Sequence, residues 1–140
     1  MSVEEIKALE RRWLEEFDKG KAATIAIIDE LHATDYVFHS SSGDDISNLE
    51  EYKQENSDLF GMFPDVHLSI DDMIAEGDKV VTRWTMEGTH TGEHKGVHPT
   101  NKKVKVWGIS IDRIVGGKFV ETWERYDTLS FQQQIGQKES

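Results

Sequence analysis

The chain has 140 residues, 36% apolar and 31% charged, with 27 acidic against 16 basic side chains and a formal charge of −11. That size and balance fit one globular domain over residues 1–140. The charge argues against nucleic acid as a partner, because phosphate-backbone affinity comes from Lys and Arg displacing counterions, and an anionic membrane surface repels such a chain as well.

The sequence has no cysteine, which excludes disulfides, thiolate metal sites and a Cys nucleophile. The segment MSVEEIKALERRW lacks the basic start and apolar run of a signal peptide. No stretch approaches the roughly 18 apolar residues of a membrane helix. The expected location is the cytoplasm. The acid is unevenly placed: Met1 to Gly77 holds 19 acidic and 6 basic residues, and Asp78 to Ser140 holds 8 and 10, as solvated helical faces at the start of the chain produce.

Ser2 and Glu5 have capping-box spacing, so a helix is expected from there, with Ile6, Leu9, Trp13 and Phe17 as its apolar stripe and Gly20 at its end. Ala22 to His32 reads as a second helix with Ile25, Ile28 and Leu31 inward. Asp35 to Ser40 changes to period two, with Val37 and His39 on one face and Tyr36 and Phe38 on the other. Ser47 and Glu50 repeat the capping spacing and predict a third helix that Pro64 closes.

From Asp65 onward the pattern is of strands: Val66 to Ala75, Lys79 to His90, Lys102 to Ile114 and Lys118 to Tyr126. Gly77-Asp78 and Gly116-Gly117 predict tight hairpins. Residues 91–101 read as a longer connection, Gly108 as a possible bulge position, and Thr128 to Gln134 as a terminal helical turn. Helices first and a meander afterwards indicate an α+β fold with a bent, mostly antiparallel sheet around the helices.

This order, with Ala75-Glu-Gly-Asp-Lys-Val-Val, Arg83-Trp-Thr, Gly88-Thr-His-Thr-Gly-Glu93, Gly108-Ile-Ser-Ile-Asp-Arg113 and Gly117-Lys-Phe-Val-Glu-Thr-Trp123, resembles the SnoaL-like polyketide cyclases, or predicted ester cyclases, of the nuclear-transport-factor-2-like (NTF2-like) superfamily. The resemblance runs over nearly the whole chain and is densest from Ala75 to Gly136. It implies a cone-shaped NTF2-like fold with the N-terminal helices in the concavity of a strongly curved sheet. It also implies a pocket for a small hydrophobic or cyclic carbonyl ligand and acid/base chemistry without cofactor or metal, of cyclase, isomerase or dehydratase type. A homodimer is expected as well, because the meander has a convex face on which alternation leaves some apolar groups. In characterised cyclases an acidic residue on the last long strand is the general acid/base, and Glu121 is its match by position; Trp107 stands where a pocket histidine is expected. The same superfamily also contains non-catalytic ligand-binding and dimerisation modules, the alternative reading.

Period-two counting along the last strand puts Phe119, Glu121, Trp123 and Arg125 on one face, which, holding the large apolar groups, is expected to look into the concavity. Glu121 would then be a desolvated catalytic carboxylate, or else half of an ion pair with Arg125 or Arg113. Trp84, Trp107 and Trp123 lie on separate strands and either line the pocket or pack the core. His39 either bonds a ligand carbonyl or is satisfied by a backbone partner, and Arg113 or His39 would stabilise developing negative charge on oxygen. Asp127 either positions substrate or caps the following turn. His90, His94 and His98 recur every four residues, but Gly92, Gly96 and Pro99 interrupt any helix, so surface or lid histidines are expected rather than a metal site.

Overall fold

The computed structural model describes residues 1–94 and 96–136. Ser2 caps α1 (Val3–Glu16) through the full capping box, its hydroxyl accepting from Glu5 N and the Glu5 carboxylate accepting from Ser2 N. A short 3₁₀ turn (Phe17–Lys19) and Gly20, at φ 96°, lead into α2 (Lys21–Leu31). The chain continues through β1 (His32–His39), β2 (Asp45–Ile46) and α3 (Leu49–Met62). Four long strands follow, β3 (His67–Glu76), β4 (Lys79–Thr89), β5 (Lys103–Val115) and β6 (Lys118–Tyr126), before α4 (Thr128–Gln134). The cap of α3 differs by one residue from expectation: Asn48, not Ser47, accepts from the backbone, at Glu51 N and 2.8 Å.

The six strands form one sheet in the order β2-β1-β6-β5-β4-β3, antiparallel except where β1 runs parallel to β6. Both expected hairpins are present. Gly116 and Gly117 each have positive φ, 61° and 81°, as a two-residue type I′ turn requires, and Gly77 supplies the single positive φ, 61°, of the β3–β4 turn. Among the described residues the architecture is thus the expected α+β one, four helices with a mixed, mostly antiparallel sheet. Among the described residues no helix is long and apolar enough to cross a membrane.

Helix α1 lies across β3 and β4, and α3 packs on α2 and β1. The core between helices and sheet is largely aromatic. His32, 1% exposed, is surrounded by Trp13, Tyr36, Tyr52 and Phe119 at centroid distances of 4.7 to 5.1 Å. Its Nδ1 faces Ile28 O at 3.1 Å, and burial lowers its pKa to about 4, so the ring is neutral at pH 7.

The pairing slips between β5 and β6: Ile114 faces Phe119, yet Arg113 faces Glu121. Val120 is therefore an extra residue, a β-bulge. Phe119 is buried at 1% before the bulge, and after it Thr122, buried at 5%, takes the inward side. One inserted residue exchanges the faces of everything beyond it, so Glu121, Trp123 and Arg125 lie on the side opposite to that expected.

Gly108 is not at this bulge. It faces Trp84 across β4–β5 in unbroken register, and a Cβ there would come within 2.6 Å of both Arg125 O and the Trp84 ring. The missing side chain lets the indole lie flat on β5. Gly108→Ala is expected to cost about 1–3 kcal/mol through overpacking, measurable as a lowered urea midpoint with unchanged slope.

Candidate functional site

The helices leave a cavity of about 240 Å³ against the inner face of the sheet, near the lower end of small-molecule sites, roughly 300 Å³. Its walls include Trp13 and Phe17 from α1 and its following turn, Phe38 from β1, Trp84 from β4, Tyr126 from β6 and Phe131 from α4. Its deep end is polar. Glu10, Ser110, Asp112 and Thr122 line it and are exposed by 1%, 7%, 4% and 5%. Glu55 and Asp58 on α3 and His94 in the β4–β5 connection also line it.

The connection reaches the cavity because it crosses the end of α3. Thr91 N and Gly92 N both donate to Met62 O at 3.2 Å, and a Cβ on Gly92 would fall 1.6 Å from Gly61 O. That contact leaves room only for glycine. The three histidines of this region diverge: His90 is buried beside Thr100, His94 lines the cavity, and His98 is exposed, 3.8 Å from Glu93.

A directed chain of hydrogen bonds runs along the deep end. Tyr36 Oη donates to Thr122 Oγ1 at 2.6 Å, and Thr122 Oγ1 donates in turn to Asp112 Oδ1. Trp84 Nε1 donates to Ser110 Oγ at 2.9 Å, leaving the serine proton free to donate elsewhere. Burial raises the pKa of Asp112, and burial together with the Asp112 charge raises that of Glu10 well above the usual carboxylate range. Burial, reinforced by Asp112 and Glu55, brings half-buried Glu124 to about 7. Among the described lining residues there is no Lys or Arg.

Of the residues expected at the site, Trp84 alone lines this cavity. Glu121, His39, Arg113 and Trp123 are brought together on the outer face instead. His39 Nε2 is 2.7 Å from Glu121 Oε2 and Nδ1 is 3.0 Å from Asp45 Oδ1, while Arg113 stands 3.7 Å from the other Glu121 oxygen. The Trp123 ring stacks on His39 at 5.4 Å. Trp107 is also outside, 53% exposed. Asp127 caps α4, its Oδ1 accepting from Ser130 N at 3.0 Å. The expected inward placement of Glu121 and Trp123 is corrected by the Val120 bulge, and that of Trp107 by its odd position on a strand whose even residues, Val104 to Ile114, point in.

Sequence reasoning missed Glu10, Asp112 and Glu124. Two of them left a signal. Glu10 falls one turn after Ile6 and one before Trp13 and Leu14 on the apolar stripe, and Asp112 alternates with Val104, Val106, Ser110 and Ile114. A charged residue on an apolar face marks a buried polar site. Glu124 follows only from the phase shift at the bulge.

The outer cluster has its own pH signature. The bond to Glu121, and then that to Asp45, raises the His39 pKa. A raised pKa adds stability that is complete below the unfolded value, roughly 6.5, and is lost as pH rises through the folded one. The gap in melting temperature between wild type and His39→Gln should be widest below about pH 6 and close above about pH 8. Added salt should narrow it, as the group is near solvent.

Comparison with known proteins agrees with this architecture. The sequence matches the SnoaL-like polyketide cyclase family over residues 7–135. Among solved structures, AclR, a candidate hydroxylase from Streptomyces galilaeus, superposes with a TM-score of 0.84 at 28% identity, over 96% of this chain and 98% of that one. IdmH, a candidate polyketide cyclase from Streptomyces antibioticus, gives 0.79 at 25% identity over 93% and 97%. A SnoaL-like protein from Jannaschia sp. CCS1 gives 0.84 at 20% over 96% and 93%, a likeness of fold alone. No curated protein matches the sequence.

Proposed function

This chain belongs to the SnoaL-like polyketide cyclase family, and from that premise we propose that it catalyses proton transfer on a small carbonyl compound held in the inner cavity, with Glu124 as the base. The observation that carries this reading is the Glu124 carboxyl, its pKa raised to about 7 by burial and its acidic neighbours, on the wall of a cavity also lined by Trp13, Trp84 and Tyr126. A group poised near the working pH is both available as a base and able to return the proton.

The chemistry needs a ligand carbonyl whose α-carbon meets Glu124. The proton passes from carbon to the carboxylate, and the electron pair moves onto the carbonyl oxygen as an enolate. Burial raises the Tyr126 pKa, so its hydroxyl stays protonated and can donate to that oxygen. Ser110, already accepting from Trp84, is a second donor. Return of the proton to another atom gives isomerisation, and attack of the enolate carbon on a second carbonyl, whose oxygen then takes the proton from Glu124, gives ring closure. These side chains supply each step, and the aromatic walls keep water from competing.

Wild type in deuterated water should exchange the α-protons of β-keto esters or cyclic ketones, followed by NMR, at a rate that rises with pH to a plateau above about 7. Glu124→Gln should lose about a hundredfold or more, and Glu121→Gln should retain activity. The opposite pattern would return catalysis to the outer strand face. No exchange with any compound, in folded protein, would favour a non-catalytic binding module.

A homodimer through the outer face is part of the same proposal. Ile74, Trp107 and Ile109 are 63%, 53% and 40% exposed there, and Val81 and Ile111 join them through the register of β3, β4 and β5. A cluster of that kind on a sheet face is unusual for a monomer, and two-fold pairing covers it with itself. Light scattering should report a dimer, and Trp107→Glu a monomer. A wild-type monomer at high concentration would overturn this assignment.

A further inference from the structure

Five carboxyl groups line the inner cavity, those of Glu10, Glu55, Asp58, Asp112 and Glu124, and among the described lining residues no Lys or Arg balances them. Three of them have partners: Asp112 accepts from Thr122, Glu10 meets Asp112, and Asp58 accepts from Gln54 Nε2 at 2.7 Å. The carboxyl oxygens of Glu55 and Glu124 have neither a hydrogen bond nor an ion pair among the described residues. Glu55 differs from the others in position. It is exposed on α3 where that helix meets the cavity, so its oxygens are open to an arriving ligand.

Tyr126 stands beside both. It follows Glu124 on the inner side of β6, and its ring lies between those of Trp84 and Phe131, with centroids 6.4 and 6.0 Å away; all three rings line the cavity. The charges of Glu124 and Glu55 both act on its hydroxyl, which sets two carboxyls and a ring around one part of the space. A ring face attracts a cation, and two carboxylates in a partly dry space repel one another until a positive charge comes between them. Among the described residues no three acidic or histidine side chains stand close enough together to hold a metal ion, whereas an ammonium group needs only a carboxylate and a ring. The same lining repels carboxylates and phosphates.

The opposite polarity is built in next to it. Ser110 faces Glu124 directly in the β5–β6 register and is 7% exposed. Its oxygen is taken by Trp84 Nε1, which can only donate, at 2.9 Å, and its own proton has no acceptor among the described residues. That buried, unspent donor on the cavity wall is matched by an acceptor on the ligand. A ligand that satisfies both ends carries a carbonyl oxygen and a positive charge.

We propose that the cavity selects carbonyl compounds bearing a protonated amine, with the ammonium seated between Glu55 and the Tyr126 ring, the carbonyl oxygen on Ser110, and Glu55 as the specificity-determining residue. This rests on the inner cavity being the ligand site, as the proposed function does, and holds whether or not Glu124 performs chemistry there.

The test measures binding by titration calorimetry for tropinone, a bicyclic ketone whose amine is protonated at neutral pH, and for the analogue in which a CH group replaces the nitrogen. Wild type should prefer tropinone by about tenfold or more. Glu55→Gln keeps the shape and removes the charge, and should reduce the preference to below about threefold; Glu55→Lys should reverse it. The position is exposed, so both variants should fold, which a melting curve checks. Glu15→Gln, an equal loss of charge at an exposed position of α1 outside the cavity lining, should leave the preference unchanged.

Three outcomes overturn the proposal: no preference in wild type, an unchanged preference in Glu55→Gln, or a loss in Glu15→Gln as large as that in Glu55→Gln, since the charge of the whole chain would then be drawing the cation. Equal binding of the two ketones removes this assignment alone, and binding of neither removes the inner cavity as the ligand site along with it. The preference without α-proton exchange leaves this assignment standing and removes the catalytic one.

Discussion

Asp112 ties the inner half of the molecule together. It sits on β5, receives the Thr122 hydroxyl from β6, and through it the Tyr36 hydroxyl from β1, while Glu10 of α1 meets it from above. Three strands and a helix therefore share one buried carboxyl. A polar group this deep is tolerated only when its bonds are made, which fixes the offset of β1 against β6 and the height of α1 over the sheet. The rings of Trp13, Tyr36 and Tyr52 then close around His32, and the space they leave is the cavity.

The two faces of the sheet treat the same chemistry in opposite ways. Inside, Glu10, Asp112 and Glu124 meet few cations and much hydrocarbon, and all three pKa values rise. Outside, Glu121 lies between His39 and Arg113 near solvent. Strand β1 shows the contrast within eight residues: His32, pointing in, is held neutral, while His39, pointing out, gains a proton more readily than a free imidazole. Desolvation decides the first and a carboxylate partner the second.

Local signals in the sequence carried most of the fold. The capping box at Ser2, the glycine hairpins and the change from a period of about four to one of two each depend on a few adjacent residues, and each is present in the structure. The site was less legible because its geometry is not local. Nothing in Val120, a β-branched residue suited to a regular strand, announces a bulge; only pairing with β5 creates it. The parallel contact of β1 with β6 joins residues more than eighty positions apart, and Gly108 proved to serve an approaching indole rather than a bend. Family resemblance supplied the fold, and an unbroken phase along β6 put Glu121 on the inner side, where the bulge places Glu124 instead.

That phase has a consequence for how such a pocket diversifies. Beyond Val120, strand β6 encodes two complete sets of side chains, Thr122, Glu124 and Tyr126 on one side and Glu121, Trp123 and Arg125 on the other. Removing Val120 would only restore regular pairing with the first set still inward, whereas absorbing Val120 into the ladder, a slip of the later residues by one position against β5, would turn the second set inward. An acidic, hydroxyl-rich wall would become one bearing a cation and an indole, with no codon changed in either set. A one-residue slip of register there offers a larger change of ligand than many point substitutions in the lining.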